Sequence, residues 1–207
     1  DRHGTGAERR VVRARVRAKG WSVGLEPRIY GVETEYGISC ASADGGSIPL
    51  DAEESARELF APLIRRGRST NLFLGNGGRL YLDVGAHPEY ATAECADLWD
   101  LLAQDRAGAQ MLKDLATQAD QSLAGRGIDG RIHLFRNNFD SVGNSFGCHE
   151  NYLLRRRRDF REAADAMVAF FVTRQVIVGA GAIMAGPDAN ADTAGDDRPS
   201  QYGFSAR

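Results

Sequence analysis

The sequence predicts an α+β protein in which an antiparallel sheet is covered by helices, and three observations carry that expectation. Short stretches of alternating apolar and polar residues and longer stretches of helical periodicity follow one another in the order β, α, β, β, α, β, β, α. Two of the strand-like stretches are joined by Gly75-Asn76-Gly77-Gly78, a tight-turn sequence that implies an antiparallel hairpin. Neither a Walker A loop nor a GxGxxG pattern is present, so a bound nucleotide would have to be held by other means, such as a sheet surface and metal ions.

Residues 1 to about 27 show neither strand alternation nor a helical face. With Arg9, Arg10, Arg13, Arg15, Arg17 and Lys19 they read as a basic, disordered extension or a basic partner-binding arm. From Arg28 the pattern changes to a strand, with Glu33 and Glu35 on one face and Tyr30, Val32 and Tyr36 on the other. A solvated outer face accounts for that pattern, and so does a cation held between two carboxylates that otherwise repel. After a Gly/Ser/Asp loop, Asp51 to Arg66 reads as a helix with Leu59, Phe60, Leu63 and Ile64 on its apolar side, Pro62 as a kink point and Gly67 as its end. Asn71 to Leu74 and Arg79 to Val84 are the hairpin strands, and His87-Pro88-Glu89 reads as a proline turn beside them. Leu98 to Leu123 is a long amphipathic helix stopped by Gly125 and Gly127. Arg131 to Phe135 is a strand, Asn137 to Gly147 a polar loop, and Glu150 to Leu154 a strand. Arg155 to Arg158 reads as a solvated turn or a dock for an acidic partner, and the apolar helix Ala163 to Val178 as core.

Composition narrows the function. The 207 residues are 43% hydrophobic and 26% charged, which excludes wholesale disorder. A formal net charge of -2 gives no support to whole-molecule attraction to nucleic acid or to an anionic membrane. Cys40, Cys95 and Cys148 have neither disulfide-framework nor zinc-ligand spacing, which fits a reducing cytoplasm. The most apolar stretch, Ala163 to Ala185, carries Arg174 and Gln175 in its middle, so it does not read as a membrane span. The chain opens on Asp1 rather than Met and ends abruptly at Arg207, as expected of a fragment.

Arg79-Leu80-Tyr81-Leu82-Asp83-Val84 is the most informative segment. In a strand, Leu80, Leu82 and Val84 face a core, and a guanidinium, a phenol and a carboxylate line up opposite them. Glu89 and Glu94 follow close by, and with Glu33 and Glu35 they make a set of hard oxygen donors suited to Mg²⁺ rather than zinc. Beside an arginine able to grip phosphate, such a set fits a metal-nucleotide site. The polar loop would shape the site or simply satisfy its own backbone, and His149 is open to either reading.

The strings GVETEYG (31 to 37), GRSTNLFLGNGGRLYLDVGAHPEYATAEC (67 to 95), DRAG (105 to 108), LFRNNFDSVGNSFGCHENYL (134 to 153) and VTRQVIVGAG (172 to 181) closely resemble the Pup ligase family, with a faint trace through Ser205-Ala206-Arg207. The resemblance implies a glutamine-synthetase-like fold whose curved antiparallel sheet cradles ATP and Mg²⁺, residues 28–207 being the N-terminal part of that catalytic domain. It assigns Glu33, Tyr81 and Glu89 to the metal, Arg79 and Thr92 to ATP, and Asp83 to the role of catalytic base.

The activity it implies is attachment of the ubiquitin-like protein Pup, through its C-terminal glutamate, to lysines of proteins marked for the proteasome. Phosphorylation of the glutamate by ATP supplies a leaving group that a lysine displaces. Pup and lysine-bearing substrate proteins are then the direct partners and the proteasome an indirect one, with no nucleic acid and no membrane. The paralogous Pup deamidase and depupylase carries a long insertion before the catalytic strand, whereas Asp51 to Leu80 is compact here. Family members are longer and carry a C-terminal tryptophan and a small domain without counterpart in this sequence, so an inactive binding remnant is the remaining alternative.

Overall fold

The computed structural model describes residues 28–67, 69–136, 145–156, 158–179, 181–185 and 200–204. The basic stretch 1–27, residues 137–144 of the polar loop and the trace at 205–207 lie outside the described residues. The elements are β1 (Ile29–Glu35), β2 (Gly37–Ala41), α1 (Ala52–Gly67), β3 (Asn71–Phe73), β4 (Arg79–Asp83), β5 (His87–Ala91), α2 (Leu98–Gly125), β6 (Arg131–Phe135), β7 (Cys148–Leu153), α3 (Phe160–Val178), β8 (Ala182–Ala185) and β9 (Ser200–Gly203). The α+β expectation holds: among the described residues every strand pairing is antiparallel, in one five-stranded sheet of order β3-β4-β5-β1-β7 and two-stranded ribbons β2-β6 and β8-β9.

The helices start where their first turns are satisfied. Asp51 Oδ1 accepts from the Glu54 amide at 2.8 Å while Glu54 Oε2 accepts from the Asp51 amide at 3.0 Å, a reciprocal box at the head of α1. Asp97 caps α2, accepting from the amides of Trp99 at 2.7 Å and Asp100 at 3.3 Å. Along α2, Gly108, Leu112, Leu115, Ala119 and Leu123 are buried at helical spacing and meet Leu59 and Phe60 of α1 and Leu80 and Tyr90 of the sheet. Each fully buried Leu or Phe in this layer contributes about 1.5–3 kcal/mol. The β2-β6 ribbon adds Cys40 and Ile132 to the same core.

Three expectations need correction. His87-Pro88-Glu89 is not a turn: it opens β5, an interior strand paired with β4 on one side and β1 on the other. The Pro88 carbonyl accepts from the Tyr36 amide at 2.9 Å, and the missing N–H falls on that same side, just past the end of β1, so only the last bond of that ladder is forgone. The strand β2, absent from the predicted order, is built of Gly37-Ile38-Ser39-Cys40-Ala41, in which Ile38 alone is a strong strand former, and it pairs because its partner β6 is in place. Helix α3 is not core: none of its described residues is buried, and Val168, Phe170, Val172, Val176, Ile177 and Val178 are exposed. Arg174 ties it to β7 through a 2.6 Å bond to Glu150, and Arg155, Arg156 and Arg158 lie exposed between the two elements. Among the described residues no helix is long and apolar enough to cross a membrane, and Cys40, Cys95 and Cys148 are free thiols.

Candidate active site

Register builds the site. Across the sheet, Asn71 lies opposite Tyr81, Tyr81 opposite Glu89 and Glu89 opposite Glu35. One rung along, Phe73, Arg79, Ala91, Glu33 and His149 form a second row on the same face. Because strand side chains alternate, Leu72, Leu80 and Tyr90 point the other way, onto α1 and α2. The helices therefore close one face of the sheet and leave the other for polar side chains.

On that face Tyr81 Oη donates to Glu89 Oε2 at 2.5 Å and also contacts Glu33 Oε1. A phenol carries a single proton, so two carboxylate partners require a second proton or a cation among the three groups. Glu89 is the natural holder of that proton. It is 2% exposed, its Oε1 has no hydrogen-bond partner, and its pKa is raised to about 7 by burial first and by Glu35, Asp83 and Glu33 next, with His149 opposing. His149 Nδ1 lies 3.1 Å from Glu33 Oε2, and Glu35 Oε2 accepts from the Gly147 amide at 2.8 Å. His87 Nδ1 stands 3.7 Å from the same Glu35 oxygen. A Cβ at Gly147 would lie 2.8 Å from Glu35 Oε1, so this approach needs glycine.

Arg79 lies with its guanidinium carbon 4.2 Å from the Tyr81 ring centre and its Nε donating to Asn71 Oδ1 at 2.8 Å. Asp83 is exposed two residues further along β4, roughly 7 Å by strand rise, opposite His87 at the mouth of the β4-β5 hairpin. Gly85 and Ala86, both at positive φ, close that turn. Thr92, just past β5, continues the pairing with β1: its Oγ1 accepts from the Val32 amide at 3.0 Å and its own amide donates to Val32 O at 2.8 Å.

The structure thus brings Glu33, Tyr81, Glu89 and Arg79 into contact, sets Asp83 on the same face at the hairpin mouth, and leaves Thr92 past the end of β5, bonded to Val32 of β1. Glu94, counted with the acidic donors, falls in the β5-α2 connection beyond Thr92. Sequence reasoning passed over Asn71 and Gly147 and left His149 open. The parity of Asn71 with Phe73 signals the first, but Gly147 reaches Glu35 across 112 residues and has no local signal. Among the described residues no three His, Cys, Asp or Glu side chains converge as a metal cage. Two carboxylates joined by a phenol, with one buried oxygen unpartnered, instead match what a hard cation needs when phosphates and water complete its shell.

A sequence model of the Pup-ligase protein family matches residues 28–207. The chain is 51% identical over 183 residues to the Pup--protein ligase of Brachybacterium faecium, covering 88% of this chain and 38% of that protein. It is 57% identical over 160 residues to the Pup--protein ligase of Sanguibacter keddieii, covering 77% of this chain and 35% of the relative. Among solved structures it resembles the ligase PafA in complex with Pup, with a TM-score of 0.77 and 44% identity over 86% of this chain and 34% of that one. It also resembles PafA in complex with ADP, with a TM-score of 0.58 and 43% identity over 78% of this chain and 34% of that one. The chain therefore spans a little over a third of the length of the relatives it matches.

Proposed function

Because the chain belongs to the Pup-ligase family, we propose that it supplies the catalytic sheet of an ATP-dependent ligase joining the C-terminal glutamate of Pup to lysines of other proteins by an isopeptide bond. The observation that carries this reading is the single polar face on which cross-strand register gathers Arg79, Tyr81, Glu33 and Glu89, with Asp83 at its open end.

Each residue has work suited to its place. Arg79 presents a fixed cation to phosphate oxygens, and Thr92, whose oxygen is engaged by β1, keeps its hydroxyl proton for an acceptor. Glu33, Tyr81 and Glu89 would hold Mg²⁺, the unpartnered Glu89 oxygen being the donor that no protein group satisfies. Bound there, Mg²⁺ offsets phosphate charge near the transferring group. A free lysine, with an ordinary pKa of about 10.4, is mostly protonated near neutral pH and unreactive. Asp83 accepts that proton as the amine attacks, and its exposed position at the hairpin mouth leaves room for a lysine carried by another protein. Products of this chemistry are marked for the proteasome.

The test is a gel assay with Pup bearing a C-terminal glutamate, ATP, Mg²⁺ and a lysine-containing protein, using the protein expressed from its complete reading frame. Conjugation should fall at least about 100-fold in Asp83→Asn while ADP binding persists. Conjugation unchanged in that variant would overturn the base assignment. No conjugation, together with conversion of a C-terminal glutamine of Pup to glutamate, would replace the ligase reading with the deamidase.

A further inference from the structure

The edge strand β3 has only three residues, and two of them face the site. Asn71 and Phe73 are two apart, so both side chains lie on the polar face, where Phe73 sits opposite Arg79 and Asn71 opposite Tyr81. Phe73 is 81% exposed, so burial does not explain a large aromatic there. Its ring faces Arg79, whose guanidinium carbon lies 5.7 Å from the ring centre. A second ring, that of Tyr81, lies 4.2 Å from the same carbon, and the Nε is bonded to Asn71 Oδ1. Asn71 itself is held in the turn before β3: Ser69 Oγ accepts from the Asn71 amide at 3.0 Å and donates to its carbonyl at 3.0 Å.

These contacts bear on what Arg79 can do. A free arginine side chain carries considerable rotamer entropy, part of which is lost whenever it closes on a ligand. A guanidinium offers five N–H donors in a rigid fork, and Nε–H is one of them. With Nε–H occupied and the guanidinium lying against the Tyr81 ring, the end-on edge, where one N–H of each terminal nitrogen points forward side by side, is left open. Such an edge can grip phosphate with two parallel bonds.

We propose that Asn71, assisted by Phe73, is a positioning residue that fixes Arg79 in advance so that its two terminal nitrogens face the phosphate groups of ATP. The inference rests on the reading of Arg79 as a nucleotide ligand, and it adds a role for β3 in setting the rate of phosphoryl transfer. Asn71 touches no substrate in this account; it acts through Arg79.

The test is a double-mutant cycle on conjugation kinetics at varied ATP, in the protein expressed from its complete reading frame. Asn71→Leu keeps the size and removes the acceptor, and kcat/KM for ATP should fall about tenfold, the usual effect of losing a bond to a charged group. Asn71→Asp keeps an acceptor for Nε and should stay within about threefold of wild type. Arg79→Lys has no Nε–H fork, so it should lose activity by itself and make Asn71→Leu nearly silent, less than about twofold. Thermal unfolding of each variant is followed in parallel. An equal loss from Asn71→Leu in both backgrounds, or no loss beside Arg79, overturns the positioning role and leaves the nucleotide reading standing. Unchanged kinetics in Arg79→Lys would overturn the nucleotide reading and the positioning role with it.

Discussion

Glu89 shows how a buried acid can be unstable alone and useful when joined. Its carboxyl holds a proton up to about 7 because burial and three neighbouring carboxylates oppose its charge. A carboxyl bound to its proton more tightly in the folded state stabilises the fold fully below its ordinary value of about 4.5 and loses that contribution as pH rises through about 7. Ionised Glu89 therefore weakens the metal-free protein above neutrality, by an amount of order 3 kcal/mol at most. Glu89→Gln still accepts from Tyr81 and cannot ionise, so its melting temperature should exceed wild type at pH 8 without divalent cations and converge with it near pH 5. Millimolar Mg²⁺ should raise the wild-type melting temperature at pH 8 and leave that of Glu89→Gln unmoved. A scan of unfolding against pH and Mg²⁺ checks both. Gly147→Ala should push Glu35 aside, since a Cβ would lie 2.8 Å from its Oε1, and conjugation should fall about tenfold with little change in urea midpoint.

At the scale of elements, α2 and β5 are matched through one close contact. A Cβ at Gly108 would lie 2.2 Å from Cδ1 of Tyr90, so the helix can rest on the ring only with glycine there. Alanine would gain about 1 kcal/mol of helix propensity but must push helix and strand apart, and overpacking of this kind loses about 1–3 kcal/mol or more. Gly108→Ala should therefore lower the urea midpoint, contrary to what propensity alone forecasts. The Tyr90 hydroxyl carries the fit further: it donates to Gln104 Oε1 at 2.8 Å and accepts from Asn76 Nδ2 at 3.0 Å. Gln104 Nε2 in turn donates to Asn76 O at 2.9 Å, so the turn between β3 and β4 is held down by α2. Tyr90→Phe should leave the core filled and loosen this turn, seen as faster hydrogen exchange at Gly77 and Gly78.

Such elements also mark what the sequence discloses. The alternation that places Arg79, Tyr81 and Asp83 on one face is local, so it is legible without any partner strand. The pairing that sets Glu33 beside Ala91 and His149 is not local, and neither is the strand character of His87-Pro88, which depends on β1 ending at Glu35. Helix α3 misleads for a related reason. Apolar content identifies a helix that avoids water, and it is silent about which surface covers it.

For the molecule as a whole, that uncovered surface governs solution behaviour. Val168, Phe170, Val172, Val176 and Ile177 are each 56% exposed or more, an apolar patch of the kind that draws partners or drives association. The 207-residue chain expressed by itself should show a scattering mass above its 22.5 kDa that rises with concentration, and Val172→Lys with Val176→Lys should return it toward that value.

The strand order also sets a timetable for synthesis. β1 leaves the ribosome before its partners, which are β5, with Thr92 Oγ1 60 residues beyond the Val32 amide, and β7, with His149 116 residues beyond Glu33. At about 5–20 residues per second, the first of these delays lasts roughly 3–12 s and the second roughly twice that. Through that interval both edges of β1 are open to any passing strand, while the β4-β5 hairpin can close by itself almost at once. The carboxylates of β1 are thus charges on a waiting strand, where they discourage premature pairing, before they meet Tyr81, His149 and the Gly147 amide in the finished sheet.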